Sequence, residues 1–345
     1  MIDFRYHIVS LISVFLALAV GIVLGAGPLR DYIAESLSGQ VEQLREEKED
    51  LREELDKNQD ALNNTNAFIT GASNALIEDV LPSYTVSLVA LPGVDSGTIN
   101  AIGDTLTTAG ASVLNIVEVS EDFTDPAKRP FRSGIAGNVS AYMDPEPADD
   151  ASAESVIGAA LDQALSDYDP ADPQEPSEDA ASIMDLLRSS DLLSVDGDVL
   201  PTLLTVVIAS DSAASDEVRA AELGLVKGTS SSRTLVAGTD AEGTLISLIR
   251  ADSDAAETYT TTDSIATTAG EILVPRALAV IVSGEQGSFG FAGGADAVFP
   301  PEVEISAPDP IEPEDADDEA EADEDEADPD AAGVAEGPVG AEVLV

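Results

Sequence analysis

The sequence predicts an α/β protein held on a single N-terminal transmembrane helix. A short coiled coil follows, and then a parallel-sheet domain with a helical acidic insertion. Three observations carry that reading. An uncharged run extends from Ile8 to Leu29, a heptad pattern follows it directly, and beyond Leu81-Pro82 apolar β-branched runs alternate with segments of helical period. The boundaries expected are 1–30 for the anchor, 31–80 for the coiled coil, 81–300 for the α/β domain with its insertion at 140–180, and 301–345 for an acidic tail.

Roughly 20 apolar residues at about 1.5 Å rise cross a hydrocarbon core of about 30 Å, so the first run is long enough to span a bilayer. A cleaved signal peptide has a shorter apolar region ending in small residues of A-x-A type, and Ala26-Gly27-Pro28 does not offer that site cleanly. An uncleaved signal-anchor is therefore expected in a cell membrane, with the long acidic remainder outside it; an outer membrane is the other location considered. Gly21 and Gly25 form GxxxG, the spacing that lets two membrane helices touch. Small residues are common in such helices, so the motif alone does not establish pairing.

In the heptads, Val41, Lys48, Leu55, Leu62 and Ile69 take a positions, and Leu37, Leu44, Leu51, Asn58 and Thr65 take d. The interface expected comprises Leu37, Val41, Leu44, Lys48, Leu51, Leu55 and Leu62. Glu47 at g faces Arg52 at the following e′ of a parallel partner, an interchain charge pair. Lys48 at a costs stability and biases register or partner choice. The same stripe also suits one amphipathic helix lying on its own domain.

In the domain, Tyr84–Gly93 reads as a strand, Ser96–Ala111 as a helix with Ile99, Ile102 and Leu106 at helical spacing, and Ser112–Ser120 as a second strand. That is a βαβ unit, hence a right-handed crossover in a parallel sheet. Thr202–Ser210 and Arg233–Asp240 read as further strands, Asp216–Gly228 and Gly243–Asp252 as helices, and Ile265–Gly284 as partly helical around Pro275. Between the halves, Asp144–Asp179 is rich in Asp, Pro, Ala and Glu and holds a helix at Ala153–Leu165; another follows at Ala180–Leu187. After Pro300 the chain is of low complexity, with thirteen acidic residues from Glu312 to Asp330. Such a run cannot bury enough apolar surface to fold, although a weak cation-binding or basic-partner role suits it as well.

Composition removes several functions. The formal charge of −52 opposes broad contact with nucleic acid or anionic lipid. With 44% hydrophobic but only 4% aromatic residues, the core is built from Ala, Val, Leu and Ile. There is no Cys, so no disulfide or thiolate site. The only His is His7 at the membrane edge, which leaves no Ser-His-Asp triad in the domain. LPGVDSGT after the first strand is neither GxGxxG nor a P-loop, no HExxH occurs, and GSFG is not GxSxG. Copper favours Cys, Met or several imidazoles, and Met1, Met143 and Met184 lie far apart. No enzyme chemistry, cofactor or intrinsic metal site is expected.

The opening FRYHIVSLISVFLALAVGIVLGAGPL, the heptads straight after it, and TTDSIATTAGEILVPRALAVIVSG with GSFGFAGG resemble the mycobacterial copper transport protein family, MctB-like, whose corynebacterial relatives are called SteB. The likeness runs to about Pro300 and leaves out the acidic tail. It implies an anchor, a coiled coil and a Rossmann-like domain facing the envelope. It also implies two functions: copper homeostasis by export through a channel, and control of cell separation by binding a peptidoglycan hydrolase through the coiled coil. A pore needs several spans per assembly or a closed barrel, and this chain has one apolar helix and no alternating polar-in strands. The expectation is therefore a homodimeric, non-enzymatic scaffold or regulator of cell separation that recognises helices through its stalk and binds no nucleic acid. Copper transport is the alternative.

Overall fold

The computed structural model describes residues 4–26, 28–311 and 313. The chain divides into two compact units, Met1–Phe68 and Ile69–Val345. The first holds α1 (Phe4–Ala26) and most of α2 (Pro28–Ile77), a 50-residue helix about 75 Å long at 1.5 Å per residue. Its middle is rich in Glu, Leu, Gln, Lys and Arg, the straight-chain residues that lose little freedom in a helix. The i,i+4 pairs Gln43–Glu47, Glu53–Lys57 (2.7 Å) and Gln59–Asn63 support it along the surface.

The second unit is built on a seven-stranded sheet. In chain order come β1 (Thr85–Ala90), α3 (Ser96–Thr108), β2 (Ser112–Val119), α4 (Glu121–Thr124), a 3-10 turn, and α5 (Arg129–Val139). Then come α6 (Ala153–Ser166), a hairpin of β3 (Tyr168–Asp169) and β4 (Asp172–Pro176), α7 (Glu178–Ser189) and β5 (Leu193–Val195). The second half runs β6 (Leu204–Ile208), α8 (Asp216–Gly228), β7 (Thr234–Ala237), α9 (Leu245–Ala251), α10 (Ser253–Thr258), β8 (Thr260–Thr262), α11 (Thr268–Val282) and β9 (Ser288–Phe289). The sheet order is β5-β2-β1-β6-β7-β8-β9, parallel throughout except for β5, which runs antiparallel to β2. Counting only the parallel strands, the order is 2-1-3-4-5-6, with its reversal between β1 and β6. The expected α/β class holds. The order is the flavodoxin-type one and not the 3-2-1-4-5-6 order of dinucleotide-binding Rossmann domains, so the Rossmann likeness stops at the doubly wound layering.

Alternate side chains of the central strands face two cores. Val89, Val207 and Val236 meet the layer of α5 to α10. Leu88, Val206 and Leu235 meet α3, α11 and the end of α2, where Ile77 and Leu81 are buried. α11 continues through Pro275, which is buried in the helix interior. Past Pro300, Val303 and Ile305 still pack on this second core. The acidic stretch from 314 onward lies outside the described residues.

The segment expected as an acidic insertion supplies much of one layer. From α6, Ile157, Ala160, Leu161 and Leu165 are buried. Its backbone sits directly on α8: a Cβ on Gly158 would run into the Leu225 carbonyl, and one on Gly228 into the Ser155 carbonyl. Close helix contact replaces side-chain bulk in a core poor in aromatics. Gly158→Ala is expected to lower stability by about 1–3 kcal/mol by overpacking, measured as a lower urea midpoint of the full-length chain in detergent micelles.

Candidate functional site

The apolar part of α1, Phe4–Gly25, spans 22 residues of mean hydropathy 2.8 and is long and apolar enough to cross a membrane. Gly21 and Gly25 lie one turn apart, with no atom within 4 Å of where a Cβ would stand on either.

On α2 every residue of the expected stripe is exposed: Leu37, Val41, Leu44, Lys48, Leu51, Leu55 and Leu62. The leucines at 44, 51 and 55 show 62%, 63% and 67% of their surface. Helical spacing brings these side chains onto one face of one helix. Glu47 accepts a hydrogen bond from Gln43 Nε2 at 3.1 Å, within the helix. Arg52 makes no ion pair among the described residues.

At the reversal point of the sheet, a crevice of about 430 Å³ opens between the C-terminal ends of β1 and β6. Gly93 and Ser210 form its floor, Glu121, Asp122 and Asp125 one wall, and Arg219 and Glu222 from α8 the other. The start of α3 beside it holds no free phosphate cradle. Asp95 caps that helix, accepting from Gly97 N at 2.8 Å, Thr98 N at 3.2 Å and Thr98 Oγ1 at 2.6 Å. The Thr98 hydroxyl and then the backbone N–H groups hold the Asp95 carboxyl below its ordinary range. The non-phosphate reading of LPGVDSGT has this physical basis: the helix carries its own anion.

Sequence reasoning set TTDSIATTAG and GSFGFAGG apart without a chemical reason, and the structure supplies one. Asp263, just past β8, is fully buried. It accepts from Arg250 Nη1 at 2.7 Å, Ser264 Oγ at 2.7 Å and the Phe291 N–H at 2.8 Å. Arg250 also donates to Asp240 at 2.8 Å and to the Phe289 carbonyl at 3.1 Å. Gly290 adopts φ +146°, and a Cβ there would overlap the Asp263 carboxylate. The glycine loop is thus closed over a buried carboxylate. Burial acts to raise the Asp263 pKa; the hydrogen bonds from Arg250, Ser264 and Phe291 outweigh it and leave the group below its ordinary value. Among the described residues, no three His, Cys, Asp or Glu side chains converge as a metal cluster.

A family model described as "Copper transport outer membrane protein, MctB" matches residues 1–300. The chain belongs to the MctB family. It is similar to proteins named Copper transporter MctB from Mycobacterium bovis and Mycobacterium tuberculosis, 27% identical over 313 residues that cover 86% of this chain and 99% of each relative. The Mycobacterium leprae protein of the same name is 27% identical over 327 residues, 88% of this chain and 100% of its own. The MctB match therefore takes in the membrane helix, the α2 stripe, the crevice and the glycine loop, and ends before the acidic tail.

The Asp263 latch is testable. Asp263→Ala leaves Arg250 short of a buried partner and is expected to cost about 3–5 kcal/mol, read as a lower urea midpoint. Gly290→Ala is expected to cost about 1–3 kcal/mol from backbone strain, with the overlap adding to it. A carboxyl depressed by folding stabilises above its unfolded pKa of about 3.9 and loses that contribution as pH falls through its folded value. The stability gap between wild type and Asp263→Asn is therefore expected to be full at pH 6 and to narrow below about pH 4.

Proposed function

We propose that this protein is a membrane-tethered, non-enzymatic scaffold of the cell envelope that regulates cell separation. It is anchored by α1 with the bulk of the chain outside, self-pairs through α2, and engages a peptidoglycan hydrolase through the same helix. The observation that carries the proposal is the row of exposed leucines on α2. Covering one Leu or Val side chain contributes about 1.5–3 kcal/mol. The stripe as a whole offers on the order of 10 kcal/mol before the costs of association. Left in water that free energy is unused, and a second helix in coiled-coil register recovers it. In a parallel pair Glu47 reaches Arg52 of the partner, and Lys48 keeps the seam from being uniformly apolar, which selects register or partner.

The family's printed name favours a second reading, in which the chain handles copper as cargo. The ligand supply weighs against a high-affinity copper site in one chain: no Cys, His7 alone, and methionines at 1, 143 and 184. A conducting path would also need several copies of α1 around it.

The two readings diverge in one experiment. Leu44→Asp with Leu51→Asp puts two charges into the seam. The variant is expected to lose self-association in micelles and to leave daughter cells attached, while its domain unfolds at the wild-type temperature and copper tolerance is unchanged. Normal separation combined with copper sensitivity in cells carrying the variant would overturn the scaffold in favour of transport.

A further inference from the structure

The strands of a parallel sheet are normally covered on both faces. β2 is not. Asn115, Val117 and Val119 are buried on one face, while Leu114 and Ile116 on the other are 38% and 42% exposed. These two line a groove of about 360 Å³ between α3, which contributes Ile99, and β5, which contributes Val195. Leu114 also lines a wider cleft of about 670 Å³ at the starts of β1 and β6, so the two spaces meet at that side chain. We infer that this path binds a fatty acid, a single hydrocarbon chain ending in a carboxylate.

The apolar length of the path calls for the chain. Leu203 and Ile311 line the cleft, Leu114 joins it to the groove, and Ile116 carries the apolar surface onward along β2. The combined volume lies in the range of small-molecule sites. The rim argues against a second copy of this protein as the occupant. Glu118 and Asp196 stand along the groove and no Lys or Arg lines it, so a copy would bring like charge to like charge.

The carboxylate has one place to go. Arg233 is the only cation among the residues lining groove and cleft, and it is 16% exposed. A guanidinium carries five N–H donors. Among the described residues Arg233 uses one of them in a hydrogen bond, from Nη2 to Thr205 Oγ1 at 3.3 Å. Its Nε faces Asp162 Oδ1 at 3.2 Å, yet neither of these buried atoms makes a hydrogen bond. Burial outweighs the attraction between them, pushing the Asp162 carboxyl up and the Arg233 guanidinium down. The guanidinium is thus short of negative charge and of acceptors, and buried polar groups in folded proteins are bonded almost without exception. Asp309, the one carboxylate lining the cleft, pairs with no cation among the described residues. Arg188 lies outside both linings and donates to the Gly197 carbonyl. A carboxylate on the free Nη donors of Arg233 makes charge-assisted hydrogen bonds there, and its chain then runs over Leu114 and covers the open face of β2.

The test uses dodecanoate labelled with carbon-13 at the carboxyl, added to the full-length chain in phosphatidylcholine nanodiscs and to empty nanodiscs. A distinct carboxyl resonance is expected with the protein, saturating at one per chain and absent from empty discs. Burying a methylene tightens binding about fourfold, so octanoate is expected to bind at least about tenfold more weakly at equal free concentration. Dodecylamine, with the same chain and the opposite charge, and acetate, with the head alone, are expected not to displace the label. Arg233→Gln is expected to weaken binding at least about tenfold. Because that variant strands Asp162 and can fail to fold, Leu114→Glu, at an exposed position, serves as the second arm, with the same loss expected and an unchanged melting temperature. No protein-dependent resonance, equal affinity for octanoate, displacement by dodecylamine or by acetate, or wild-type affinity in folded Leu114→Glu would overturn the inference. None of these outcomes bears on the α2 seam.

Discussion

Helices α6 and α8 approach until backbone meets backbone, with the Leu225 carbonyl where a side chain at residue 158 would begin and the Ser155 carbonyl where one at 228 would begin. Much of the domain follows from that contact. With so few aromatic residues, the core cannot be filled by large side chains, so its layers have to close up instead. The approach fixes α8 against the sheet and thereby sets Arg219 and Glu222 at the reversal point. It also fixes α6, whose Glu154 receives Arg132 at 2.9 Å and whose Asp162 stands 3.2 Å from Arg233.

These ion pairs show how a strongly acidic chain uses scarce cations. Arg132 ties α5 to α6 and to the Asp125 carbonyl, and lies over the Phe123 ring. Arg233, at the foot of β7, ties that strand to α6. Arg250 ties α9 to the ends of β8 and β9. Each joins segments distant in sequence and each is largely buried, so losing one partner costs far more than losing a surface pair. Cations spent inside the fold leave the outside acidic. An acidic exterior with an exposed apolar stripe on α2 is a surface suited to selective protein contact and unsuited to anions.

Much of the fold was legible because strong periodicity survives in one dimension. β1, α3, β2, β6, α8 and β7 each bury residues that their own apolar runs or helical spacing announce, and the N-terminal helix is announced by its length and hydropathy. The elements that escaped reading lack such a face. α5, RPFRSGIAGNV, carries two glycines, a proline and two arginines, and it is held by the burial of Arg132. β5 exists through antiparallel pairing with β2, and β8 is three threonines buried only because β7 and β9 flank them. The segment around α6 was read as an acidic insertion carrying a helix, and the apolar stripe of that helix completes a layer. The stripe of α2 was read position by position, since a heptad is a local pattern, and those side chains are exposed on that helix. The crevice was not, because its walls come from three separate parts of the chain.

The sequence by itself determined an N-terminal helix long and apolar enough to span a membrane, the heptad stripe of α2, the α/β class, the lack of Cys and the single His at position 7. Each of these depends on composition or on spacing within one element. Only the tertiary structure decided the strand order 2-1-3-4-5-6, the integration of α6, the glycine loop closed over Asp263 and the charge of the crevice. Those depend on which distant segments touch, and in a parallel sheet neighbouring strands are joined through long crossovers, so the pairing is not written in any local stretch of chain.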